Sequence, residues 1–254
     1  MSAKSSDSNK PIGWKAQTLG AARTILWVAI CFVGSQVLVS IVLVLLRALG
    51  VPEETFYQNT AVMTVRLAAL IVMVVMLLGL PKLHWGEGAS RKILGLERSP
   101  RWSDIGWGIV GLIAAFVGAV IVLWLTPYLM PWVNVSEPQN LGVSPLGSGP
   151  EMALVFLVLV VVGPIIEEVV FRGYLYGRLR QQRIAFWPTT LIVSALFALA
   201  HWQWNVALDV FVLSIIMCVL RQKTGSLWPS IVVHMLKNGI AFYFTFVVLL
   251  TNGL

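Results

Sequence analysis

Gly163-Pro164-Ile165-Ile166-Glu167-Glu168-Val169-Val170-Phe171-Arg172-Gly173 places two adjacent carboxylates and a guanidinium inside an apolar run, residues 151–175. A run of that length can cross a bilayer as a helix. A charge near the bilayer centre costs from about 3 to well over 10 kcal/mol, so ionisable residues there mark function by default. Whether this stretch is such a case depends on the chain around it.

Of the 254 residues, 58% are hydrophobic and 11% charged. Soluble domains carry about a quarter charged residues, so this is the composition of a polytopic membrane protein. The formal charge of +7 does not point to nucleic acid, because the basic residues sit in short segments between apolar runs. Cys31 and Cys218 both lie within such runs, where a thiol behaves as a small hydrophobe, and no disulfide framework or cysteine metal motif is present.

Working outward from the opening stretch, hydropathy predicts seven spans, at about residues 24–46, 60–80, 104–125, 151–175, 186–201, 206–220 and 228–250. Residues 1–23 read as a disordered cytoplasmic arm, and 24–254 as one helical bundle with its catalytic core at about 150–245. Fourteen of the 18 Lys and Arg residues fall on the side shared by the arm and alternate loops, which puts the N-terminus inside. Arg66 lies within the second span, where its long side chain is expected to snorkel. In the third span Gly111, Ala115 and Ala119 recur at i, i+4, a spacing that allows close helix approach. The fold class is therefore all-α, a membrane bundle of about seven helices.

Glu168 and Arg172 are four apart, so on a helix they share a face and pair, while Glu167 is turned about 100° away. Pro164 interrupts the helix just before them. Phe197 and His201 share one face of span five, and His234 and Asn238 share one face of span seven. Two of the chain's three histidines thus fall in spans beside an intramembrane carboxylate pair. A glutamate without its own cation suits a general base that deprotonates water and later protonates a leaving group. Glu167 is that candidate, with His201 sharing the proton or orienting the water. His234 and Asn238 are placed to donate to the oxyanion of a tetrahedral intermediate. No Gly-x-Ser-x-Gly elbow and no His-Glu-x-x-His helix occurs. A zinc ion held by Glu167, His201 and His234 remains an alternative at this level, because zinc accepts imidazole and carboxylate ligands.

Glu167-Glu168-x-x-x-Arg172, Phe197-x-x-x-His201 and His234-x-x-x-Asn238, in that order, together with Thr224-Gly225-Ser226-Leu227-Trp228-Pro229-Ser230, resemble the CPBP family. That group comprises intramembrane CAAX proteases and bacteriocin-processing (Abi) proteins, including the type II CAAX prenyl endopeptidase. The resemblance covers about residues 150–245. It implies a glutamate-dependent endopeptidase needing no cofactor, with Glu167 and His201 activating water, His234 and Asn238 forming the oxyanion site, and Glu168, Arg172 and Phe197 supporting them. Its implied partners are membrane lipids and a peptide or protein substrate, either lipidated and cut near its C-terminus or bacteriocin-like. The compact loops suggest a bacterial inner or plasma membrane. The competing expectations are a non-catalytic scaffold or immunity protein and a proton-relay transporter. One strain remains: counting 1.5 Å per residue puts Glu167 about 16 Å from Arg178 but His201 about 27 Å from Arg183. The expected remedy is that residues 184–190, including Pro188, lie in the interface or uncoil, so that span five starts later.

Overall fold

The structure is a computed structural model that describes residues 13–85, 88–134 and 149–248, with Glu137, Val143 and Leu146 between the last two segments. The described residues are helical, with no strand among them. Five helices are long and apolar enough to cross a membrane: α1 (Trp14–Ala48), α2 (Asn59–Leu83), α4 (Trp102–Leu129), α5 (Gly149–Gln181) and α8 (Trp228–Val247). Between α2 and α4 lies the single turn α3 (Arg91–Leu94). Two further helices, α6 (Phe186–Leu199) and α7 (Trp204–Thr224), complete a bundle of seven long elements.

Residues 14–23 are already helical, ten residues of the segment expected to be a disordered arm; residues 1–12 lie outside the described residues. Lys15, Ala16, Gln17, Ala21, Ala22 and Arg23 are strong helix formers, so the first helix extends past the hydrocarbon into the basic interface. The small residues of the third span pack as expected. Gly108, Gly111, Ala115 and Ala119 are buried in α4, and a Cβ on Gly111 would lie 2.7 Å from Leu220 of α7 and 2.8 Å from Val233 of α8. The outer faces of α1 and α4 expose Ile30, Leu38, Val42, Ile113, Val117 and Val120, the side chains a lipid solvent requires outside. The core lies around Phe171, Leu175, Phe197, Leu213 and Met217, with a second cluster of Met63, Val155, Val158, Phe242 and Phe246.

Span five begins where hydropathy put it, and the uncoiled entry expected over residues 184–190 is confined to 184 and 185. Its helix begins at Phe186, with Pro188 inside the first turn where a missing N–H costs nothing, so residues 186–190 are coiled. At 14 residues α6 reaches only about 21 Å, short of the roughly 30 Å hydrocarbon core. It ends before His201, and Trp202 then turns the chain with φ 55°, an uncommon backbone for a bulky residue.

At the end of the bundle where α3 sits, the loop before α4 is tied to the start of α8. Leu227 N–H donates to Gly95 O at 2.9 Å, and Trp228 Nε1–H to Arg98 O at 2.9 Å. Arg98 in turn forks onto Asp104 at 2.7 and 2.6 Å, a bond that holds its guanidinium protonated above the ordinary arginine value. Gly177 of α5 lies against the carbonyl of Ile93, where an added Cβ would stand 2.2 Å from the oxygen.

Candidate active site

The helix carrying the two carboxylates is not uniformly α. Leu157–Val162 and Val169–Leu175 are wider π turns, and between them Gly163–Glu168 is α-helical. Such widened turns are often found at functional sites. In the first of them Gly163 N–H bonds back to Val158 O, and a Cβ at Gly163 would stand 2.6 Å from that oxygen, so a side chain is excluded there. By the same π register the carbonyl of Leu159 would receive its bond from residue 164. That residue is proline, which has no N–H. The Asn238 amide Nδ2–H of α8 fills the place, donating to Leu159 O at 2.9 Å.

One turn on, Glu168 and Arg172 are both wholly buried and pair at 2.7 Å. The guanidinium lies over the Phe197 ring, 4.1 Å from its centroid, a desolvated cation–π contact. Phe197 also meets His201 edge-on at 5.0 Å, His234 at 5.7 Å and Phe171 at 4.9 Å. His234 bridges the two acids: Nδ1 lies 3.0 Å from Glu168 Oε1, and Nε2 lies 3.7 Å from Glu167 Oε2. His201 Nδ1 lies 2.8 Å from Phe197 O. A carbonyl can only accept, so Nδ1 of His201 carries a hydrogen and the neutral ring presents Nε2 as an acceptor. For His234 the ionised Glu168 plays the same role and assigns the same tautomer.

Glu167, His201, His234 and Asn238 all line one cavity of about 1300 Å³. Its walls come from α1, α2, α5, α6, α7 and α8 together with Leu123 of α4 and Glu137, and it is bordered by an apolar annex of about 490 Å³. The four residues expected to carry chemistry are thus brought to a common space, and Phe197 and Arg172 support it from behind. Two expectations change. Glu167 has His234 as a neighbour and is therefore not alone, and His234 and Asn238 each have a donor hydrogen engaged within the protein. Among the described residues no three His, Cys, Asp or Glu side chains are placed to hold a metal ion. The set Glu167, His201 and His234 therefore does not fit zinc, and no step is derived through one.

Arg66, Asp209 and Lys237 are charged residues of the cavity wall to which sequence reasoning gave no catalytic role. Lys237 pairs with Asp209 at 2.5 Å, linking α8 to α7. Arg66 is half-buried and lines the same cavity as Glu167. The signal available for all three was their charge inside an apolar span.

Comparison with known proteins gives a consistent picture. Residues 149–240 match the family model described as type II CAAX prenyl endopeptidase Rce1-like. The YdiL protein of Bacillus subtilis strain 168, named as a candidate membrane peptidase, is 27% identical over 72% of this chain and 68% of its own length. An uncharacterized 24.3 kDa protein of Escherichia coli is 28% identical over 50% of this chain and 62% of its own length. MroQ of Staphylococcus aureus strain USA300, named as a membrane-embedded CAAX protease, is 33% identical over 33% of this chain and 36% of its own length. In the latter two the match spans less than two thirds of the relative. No solved structure matches the chain.

Proposed function

We propose that this chain, which carries an Rce1-like CAAX protease domain at residues 149–240, is an intramembrane endopeptidase in which Glu167 is the general base. The observation that supports this most is the convergence of Glu167, His201 and His234 on one cavity among membrane-length apolar helices. Water enters the cavity beside Glu167. The carboxylate accepts one of its protons while the Nε2 lone pair of His201 accepts a hydrogen bond from the other, fixing the direction of attack. The oxygen adds to the scissile carbonyl carbon. When the intermediate collapses, Glu167 returns its proton to the leaving nitrogen. Glu168 remains ionised against Arg172, and its bond to His234 Nδ1 holds that ring beside the base.

The substrate is a peptide or protein reaching the cavity from the membrane, and the adjoining apolar annex suits a lipidated or strongly apolar segment. The membrane is a bacterial plasma membrane, with the N-terminus inside. Purified protein offered lipidated and unlipidated peptides tests the reading. Wild type cleaves a subset, and Glu167→Gln lowers kcat by about 100-fold to 10,000-fold, the usual contribution of a general base. Cleavage at the wild-type rate by Glu167→Gln removes the base from the mechanism.

A further inference from the structure

A peptide drawn into a cavity at membrane depth brings backbone groups that lose their water. Each N–H and C=O buried without a partner costs free energy, so the wall has to supply partners. Much of this wall cannot: α7 presents Val206, Val210 and Leu213, and α5 presents Val158 and Leu159. Among the valines of α7 stands Asp209, joined to Lys237 of α8.

Lys237 Nζ donates to Asp209 Oδ2 at 2.5 Å, with the two side chains 20% and 24% exposed. That bond uses one of the three ammonium hydrogens and one carboxylate oxygen. Among the described residues neither side chain bonds anything else, which leaves two donor hydrogens and Oδ1 for what enters the cavity. Joining α7 to α8 is no reason for charge here, since apolar side chains of similar volume hold buried helices together as well or better. A charged ligand suits the pair poorly, because an acid drawn to Lys237 meets Asp209 and a base drawn to Asp209 meets Lys237. A neutral group with one donor and one acceptor matches it. One residue of extended chain is such a group, because its N–H and C=O point to the same side, as in a paired strand.

The pair also stands at a useful distance from the base. Lys237 follows His234 by three residues on α8, so the two side chains are neighbours on one face. His234 Nε2 in turn lies 3.7 Å from Glu167 Oε2. The helical rise between His234 and Lys237 is about 4.5 Å, the span of one to two residues of extended peptide at about 3.3 Å each.

We propose that Asp209 and Lys237 form a substrate-binding subsite, a clamp on the peptide backbone; this rests on the peptidase reading above. Lys237 donates to the C=O, and Asp209 accepts from the N–H, of a residue one or two positions from the scissile bond. The clamp accepts side chains of any charge and requires an extended backbone at that position. It moves no proton, so it acts on binding and register and leaves the chemical step to Glu167.

Wild type, Lys237→Met, Asp209→Leu and the double variant Lys237→Met/Asp209→Leu are purified in detergent, offered a library of lipidated and unlipidated peptides, and melted on the same samples. A cleaved peptide is then remade with each non-scissile amide in turn replaced by an ester, which removes the N–H and weakens the carbonyl as an acceptor. Each single variant strands a charge and lowers the melting midpoint. The double variant restores the midpoint and isolates binding: KM is expected to rise about 10-fold to 100-fold, with kcat within about threefold of wild type. With wild type, the ester raises KM about tenfold at one or two positions beside the scissile bond; with the double variant it changes KM by less than about twofold anywhere. A pair that only joins helices would leave the double variant with a wild-type KM, and that result overturns the proposal. A flat ester scan on wild type, which needs no variant, overturns it as well. A wild-type preference of more than about tenfold between Glu and Lys at those positions, inverted in Asp209→Lys/Lys237→Asp, would make the pair a reader of charge and overturn the backbone role. If wild type cleaves nothing in the library, the peptidase reading has failed and the clamp falls with it. Wild-type cleavage with an unchanged KM in the double variant removes the clamp alone.

Discussion

Replacing Arg172 with methionine, a side chain of similar reach without charge, isolates what the buried ion pair does. Arg172 and Glu168 are wholly buried and 2.7 Å apart, and the guanidinium is stacked on Phe197. Removing the cation leaves Glu168 as an uncompensated charge in the core, a change that costs about 3–5 kcal/mol. The lost cation–π contact, worth about 2 kcal/mol when desolvated, involves the same atoms and places the expected loss at the upper end of that range. For a protein of this size the corresponding fall in melting midpoint is about 6–20 °C. Adding Glu168→Gln removes the second charge, and most of the stability returns because a neutral pair in this volume carries little desolvation penalty. Activity does not return, since His234 then loses the carboxylate that fixes its tautomer. Denaturant unfolding in micelles provides the assay, read through the chain's 11 tryptophans. A loss below about 1 kcal/mol for Arg172→Met, or a double variant no more stable than the single one, would refute the ion-pair argument.

Gly177→Ala forces a Cβ to 2.2 Å from the Ile93 carbonyl oxygen, a backbone clash that no rotamer relieves. It should cost more than about 2 kcal/mol and expose the loop before α4 to limited proteolysis, whereas Gly20→Ala, which meets only the flexible end of Gln182, should be tolerated. Because among the described residues no three His, Cys, Asp or Glu side chains lie close enough together to hold a metal ion, dialysis against a chelator is expected to leave peptide cleavage unchanged. Loss of activity with rescue by added zinc would reinstate the metal reading.

Hydropathy and spacing made much of this molecule legible. The Glu168–Arg172 pair follows from helical i, i+4 geometry alone, and the small-residue row of α4 packs where its period says it should. What could not be read from the chain depends on depth and rotation, which a linear count does not carry. Hydropathy carries span five on to His201, whereas its helix closes at Leu199 and His201 lies in the turn beyond it. The place of Asn238 depends on a π register that leaves Leu159 O opposite a proline, and neither that register nor the partner helix is written in local sequence. Arg66 was judged by the solvent it would dislike, when the relevant fact was the cavity it would share with Glu167.

The ring of Phe197 has a genetic consequence. It touches Arg172, His201, His234 and Phe171 at once, so a substitution at any one of them moves the surface against which the others are seated. Effects of single replacements around it will not sum, and double-mutant cycles among Arg172, His201 and His234 will return coupling energies of about 0.5–3 kcal/mol. Epistasis of that size means that a variant library randomising these positions separately will sample mostly inactive chains, and a new specificity is better sought on the walls of the cavity than at the residues gathered around this ring.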